Sequence, residues 1–199
     1  MTAAARTGAD PFRMRNPSLP LAALALFLAG CHAPPSAAPA PPLQDAPRPG
    51  DVDSIDGLLR AFYEVVNIPP DAPRQWARDR SLYVPWIRFI ATGTSSTTGR
   101  TEAEAWDHRK LVEETEPLIR RGFREREIHR VTRRYGPIAH VDSTYETEYG
   151  LGPAARRSRG VNSLELYFDG RRWWIASVLW MSEDADHPIP AALLPAPKP

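Results

Sequence analysis

The 199-residue chain has one cysteine, Cys31, so no disulfide framework can hold it and no thiol pair can carry redox chemistry. It also lacks a glycine-rich phosphate loop and a serine-nucleophile elbow, which removes the common nucleotide-binding and acyl-transfer classes. His108, His129, His140 and His187 are scattered, with no third ligand at metal spacing, so no metal and no cofactor is expected. Net charge is nearly absent too. The 25 Lys and Arg stand against 24 Asp and Glu, interleaved rather than clustered, which argues against nucleic acid as a partner.

Long apolar runs are equally scarce. Leu19 to Leu28 (LPLAALALFL) is the longest, and it is too short to span a bilayer comfortably. A basic start at Met14-Arg15-Asn16 precedes it and Leu28-Ala29-Gly30-Cys31 follows, the order of an export signal whose expected start is Met14. The LAGC tetrapeptide resembles the lipobox of bacterial lipoproteins, and that resemblance implies that Cys31 becomes the acylated N-terminus. His32 stands where some inner-membrane lipoproteins carry aspartate, so the resemblance implies sorting to the outer membrane, facing the periplasm.

Removing residues 1–30 takes away Arg6, Arg13, Arg15 and Asp10 and leaves 22 basic against 23 acidic residues. From His32 to Gly50 seven of nineteen residues are proline, a composition that forms no helix or ladder. Residues 31–50 are therefore read as an extended tether of roughly 60 Å reach at about 3.1 Å per residue. The folded domain is expected at 51–195, with a tail at 196–199.

Within that domain Ser54 caps a helix whose stripe is Ile55, Leu58, Leu59, Phe62 and Val66, ended by Pro69-Pro70. A short turn around Arg74 to Arg80 turns Trp76 inward, and a strand interrupted by Pro85 follows. Thr101 with Glu104 makes a capping box for a helix through EAEAWDHRKLVEETEPLIRRG, kinked by Pro117 and closed by Gly122. The period then changes to alternation over Arg124 to Tyr135 and Ile138 to Glu148, joined at Gly136-Pro137. Pairing these runs sends Ile128, Arg130, Thr132, Ala139, Val141, Ser143 and Tyr145 to the core. Glu127, His129, Arg133, His140, Asp142 and Glu146 go to the other face.

The last segment, Arg159 to Trp180, flanks Asp169-Gly170 with two apolar runs, the signature of a hairpin closed by a two-residue type I′ turn. That register puts Phe168, Leu166, Leu164, Trp173, Ile175 and Leu179 on the core face, with Asn162 opposite Ser177. The reverse face, with Trp174, Val178 and Trp180, is too apolar for bare solvent and predicts a homodimer through the outer side of the sheet.

Helices first and a four-stranded meander afterwards predict an α+β domain. The Phe-Tyr pair in the first helix, REREIHRV, GPIAHVDSTYE, RGVNSLELYFDGRRWWI and the closing HPIPAALLP together resemble the nuclear transport factor 2-like superfamily, in its SnoaL-like and ketosteroid-isomerase-like branch. The resemblance implies a cone-shaped, cystatin-like curved sheet whose pocket lies between sheet and helices. On the register above, Tyr63, Trp86, Arg130, Tyr145, Asn162 and Ser177 would reach a small apolar ligand there. Because Asp142 and Glu146 turn outward, the interior is expected to hold no acid. The expected function is accordingly a non-catalytic, lipid-anchored binding or dimeric interaction module. The alternatives are an isomerase or cyclase on a polycyclic or terpenoid substrate, with Asp142 or Glu146 as base and Tyr145 as oxyanion donor, and an envelope protein with a filled cone.

Overall fold

The computed structural model describes residues 47–150, 152 and 155–196; the leader, Cys31 and most of the tether lie outside them. Helix α1, Ile55–Glu64, starts where Ser54 Oγ accepts a hydrogen bond from the Gly57 amide at 3.0 Å, satisfying a donor that a helix start otherwise orphans. It buries Leu58, Leu59, Ala61 and Tyr63, and each fully buried leucine contributes about 2 kcal/mol. Helix α2, Trp76–Ser81, carries the buried Arg78. Its guanidinium donates to both oxygens of Asp51 at 2.8 and 2.9 Å and to Glu64 at 2.6 Å, tying the domain's first residues to both helices. The same hydrogen bonds hold the Asp51 carboxyl below the usual carboxylate range.

Strand β1, Tyr83–Thr94, is followed by β2, Thr101–Trp106, where the sequence predicts the first turns of a helix. Residues Thr101 to Trp106 instead pair antiparallel with Phe89 to Thr94. Helix α3, His108–Arg120, begins one residue later with Asp107 as its cap, Oδ1 accepting from the Lys110 amide at 2.8 Å. Asp caps at least as well as Thr, so the downstream start wins and the upstream residues are free to pair as an edge strand. The helix runs through Pro117, and Gly122, at φ 89°, turns the chain out of it.

The remaining strands are β3, Phe123–Tyr135; β4, Ile138–Tyr149; β5, Arg156–Phe168; and β6, Trp173–Ser182. The expected meander of four is present, but β1 lies parallel to β6 and brings β2 with it, giving a six-stranded sheet in the order β2-β1-β6-β5-β4-β3. The helices lie over one face, around a core that includes Leu59, Phe89, Val141, Leu164 and Ile175. This is the α+β, cone-like arrangement that the sequence resemblance implies.

Two bulges decide which residues face that core. The β3/β4 register about Gly136-Pro137 is as predicted, from Tyr135 opposite Ile138 back to His129 opposite Thr144. There Ile128 is extra, and Glu127 pairs with Tyr145. An extra residue reverses the side to which every earlier side chain points, so Glu127 and Glu125 face inward rather than outward. Asp142 and Glu146, on β4, face outward as predicted and pair with Arg133 and Arg126.

In the last hairpin the loop is four residues, with Phe168 opposite Trp173, because the Asp169 carboxylate folds it by accepting the Arg171 and Arg172 amides at 2.8 and 2.9 Å. This corrects the two-residue turn but preserves parity as far as Ile175. Ala176 is then extra. Beyond it Val178 and Trp180 are buried, while Leu179 is 40% exposed and Ser177 sits opposite Glu165 on the outer side. The predicted outer patch of Trp174, Val178 and Trp180 therefore retains only Trp174, and Asn162 faces Trp180 across the ladder instead of Ser177.

Gly160 shows how tightly the inner face is filled. It pairs with Tyr145, and a Cβ there would stand 2.2 Å from Tyr145 Oη and 2.5 Å from the Met181 carbonyl oxygen. Gly160→Ala is expected to destabilise the domain by about 2 kcal/mol or more in urea unfolding, by displacing the Tyr145 ring.

Candidate functional site

Between helices and sheet lies a cavity of about 90 Å³. Its wall is apolar over Phe62, Val66, Phe89, Leu111 and Ile119, with polar groups entering from Arg74, Asp79, Glu125, Tyr145 and Asn162. Trp76 lines it, as the sequence predicts. Tyr145 and Asn162 also reach it, delivered by diagonal inner positions of β4 and β5.

The other predicted site residues do not. Trp86, on the outer side of β1, is 59% exposed, because the apolar parity of that strand follows Ile87, Phe89 and Ala91. Ser177 is carried outward by the Ala176 bulge. Arg130 is on the inner face but at its margin, holding Glu127 through two bonds of 2.8 and 2.6 Å and Asp56 of α1 at 2.6 Å. Tyr63 lies behind the cavity wall as a hydrogen-bonding link.

That link belongs to a directed chain. Arg130 orients Glu127, whose Oε1 accepts a hydrogen bond from the Ser143 hydroxyl at 2.5 Å. Ser143 Oγ, its own proton committed, accepts from the Tyr63 hydroxyl at 2.7 Å, and Tyr63 accepts from Asn162 Nδ2 at 3.2 Å. Burial pushes the Tyr63 phenol up, so it remains a donor at any working pH.

Asn162 Nδ2 donates as well to Glu125 Oε1, at 3.3 Å. This bond to a neutral amide is, among the described residues, the one side-chain hydrogen bond that favours the ionised Glu125, and it is outweighed by desolvation, which pushes the carboxyl up to about 7. The residue as a whole is only partly buried; its backbone lies at the sheet edge while its carboxyl is enclosed. Asn67 holds that edge, Oδ1 accepting from the Glu125 amide at 2.8 Å and Nδ2 donating to the Glu125 carbonyl and, at 2.8 Å, to that of Tyr63. Glu125 in turn helps keep the phenol of Tyr145 protonated, after burial itself.

A second polar group enters from α2 and the start of α3. Asp79 accepts from the Tyr83 hydroxyl at 3.1 Å and lies 2.9 Å from His108 Nε2, with the Arg80 guanidinium 3.5 Å from Nδ1. A carboxylate only accepts, so Nε2–H is the donor to Asp79. Among the described residues no group of three or more His, Cys, Asp or Glu is placed to hold a metal ion.

Sequence reasoning missed Glu125, Asp79, His108 and Arg74. For Glu125 a signal existed: Phe123 and Ile128 are both apolar in one strand but differ in parity, which a regular ladder cannot accommodate. The others come from separate elements and share no spacing.

No protein-family model and no curated protein matches the chain. Among solved structures it is similar to an NTF-2 like protein of unknown function from Silicibacter pomeroyi DSS-3, at 12% identity and a TM-score of 0.44, over 64% of this chain and 92% of that one. An uncharacterized protein with a cystatin-like fold from Caulobacter vibrioides is similar at 13% identity and a TM-score of 0.46, over 66% and 89%. A candidate ketosteroid isomerase from Shewanella frigidimarina NCIMB 400 is similar at 18% identity and a TM-score of 0.44, over 65% and 96%.

Proposed function

We propose that the domain binds a small, largely apolar molecule in its cone and that Glu125 exchanges a proton with it. One observation carries this reading: a carboxyl enclosed in an apolar cavity, held by one neutral donor and pushed up to about 7, can give or take a proton at neutral pH. The expectation of a non-catalytic module depended on an interior without acids, and Glu125 and Glu127 remove that premise. Asp142 and Glu146, the carboxylates considered for an isomerase, point away from the cavity. Tyr145 retains the position of a hydroxyl on the cavity wall.

A filled cone serving only as envelope structure is the second reading. It is favoured by the cavity volume of about 90 Å³, against roughly 300 Å³ for pockets that take drug-sized ligands. A molecule of only a few non-hydrogen atoms is the occupant that reconciles the volume with the chemistry.

We further propose that the domain works at a bacterial envelope, anchored through acylated Cys31 at the outer membrane and facing the periplasm. A homodimer through the outer sheet face remains part of the proposal, with Leu179 and Trp174 as its apolar contacts in place of Val178 and Trp180. Metabolic labelling with a palmitate analogue should mark the chain, and Cys31→Ala should abolish the label.

Two measurements test the site. Mass spectrometry of small molecules released from the purified full chain should detect a compact apolar species, lost or depleted in Glu125→Gln; an empty wild-type protein would favour the filled cone. The second is a pH profile. Glu125 rises from an ordinary value of 4.5 to about 7 on folding, so the folded state prefers the protonated form. Its contribution to stability is full below about 4.5 and is lost as pH rises through about 7. Glu125→Gln should match the wild type near pH 4 and exceed it at pH 8 by on the order of 2 kcal/mol, allowing for partial exposure, in urea unfolding.

A further inference from the structure

Arg74 reaches the cavity from the loop before α2, and its side chain is only 4% exposed. Nη1 donates to Glu116 of α3 at 3.1 Å, and the guanidinium lies over the Trp76 ring at 4.3 Å. Among the described residues the Nε–H has no partner. A buried N–H left unmade costs about 1–3 kcal/mol, more in a charged group, and native folds rarely retain one without a use. Trp106 Nε1 is the other such atom among the described residues, but it is not part of this cavity wall.

What would satisfy Arg74 can be narrowed by charge. Glu116, which it shares with Arg120, balances the guanidinium in part, and the carboxyls on the wall are Asp79 and Glu125. An anionic ligand would face both acids with one arginine that Glu116 and Asp79 already oppose. A neutral acceptor meets no such opposition. One donor suits one acceptor oxygen, and the apolar wall around it suits hydrocarbon. The volume of about 90 Å³ admits a few waters or a compact molecule of about six non-hydrogen atoms.

We propose that Arg74 Nε–H is the docking point for the carbonyl oxygen of a small neutral ketone or aldehyde bound in the cone. This rests on the reading of the cone as a ligand site and adds the ligand's class and its anchor. Trp76 and Glu116 hold the guanidinium plane and engage Nη1, which leaves the unpartnered Nε–H for the ligand.

The test is titration of the full chain with cyclopentanone and with methylenecyclopentane, of nearly the same shape but without the acceptor, followed by the Arg74 Nε–H resonance and by dissociation constants. The ketone should bind at least about tenfold more tightly than the olefin, the range for a hydrogen bond to a charged group, and should shift the Nε–H signal. In Arg74→Met that preference should vanish while olefin binding persists. Equal affinities with an unmoved resonance would overturn the docking point yet leave the cone as a ligand site. Binding of neither probe would overturn both. Propionate binding more tightly than the ketone would overturn the neutral class. Because the resonance is read in the wild-type protein, the outcome does not depend on the variant folding.

Discussion

Between Glu127 and His129, β3 carries one residue more than the strand it pairs with, and the chemistry of the interior follows from that surplus. Without it the inner face of β3 would present Arg124, Arg126 and Ile128 beside Arg130, three basic groups with little to pair them. With it Phe123, Glu125 and Glu127 turn inward, and Glu127 meets Arg130 at the margin while Glu125 goes deeper. A bulge in β6 performs the complementary exchange, removing Ser177 from the interior and supplying Val178 and Trp180. The first bulge adds acid to the cone and the second adds apolar wall of the kind whose desolvation raises the proton affinity of Glu125.

The two glutamates differ in what surrounds them rather than in what they are. Glu127 has a bidentate arginine and a serine donor and serves as the accepting end of a chain running through Ser143 and Tyr63 to Asn162. Glu125 has one amide proton, and the low polarity around its carboxyl dominates. Two like groups on neighbouring inward positions of one strand thus sit in opposite surroundings, one ion-paired and one desolvated. Asn162 joins them, since the same Nδ2 group donates to the phenol at the end of one chain and to the lone carboxyl.

Much of the architecture was legible in the sequence: the Ser54 cap, the helical stripe of α1, the Gly136-Pro137 turn with its register, and the order of helices and strands. Local signals of comparable strength misled where two competed. Thr101 with Glu104 offers a helix start, but so does Asp107, and pairing with β1 settled the matter in favour of Asp107. In β6 every position from Trp173 to Trp180 except Ser177 is apolar or small, so parity carried no information and the Ala176 bulge left no trace. Tyr145 and Asn162 were found because their strands are regular. Arg74, Asp79 and His108 were not, because they are brought together by packing of a loop and two helix starts rather than by any repeat along the chain.

Asn67 copies, with one side-chain amide, the pair of hydrogen bonds that a neighbouring strand would make to Glu125. β3 is the last strand of the sheet, and an outer strand with open donors and acceptors is a template for another chain. By occupying that template at the level of the acid, the carboxamide closes the sheet to lateral growth where growth would wall off the cone. Any self-association of this domain that leaves Asn67 in place is thereby kept away from this stretch of its rim.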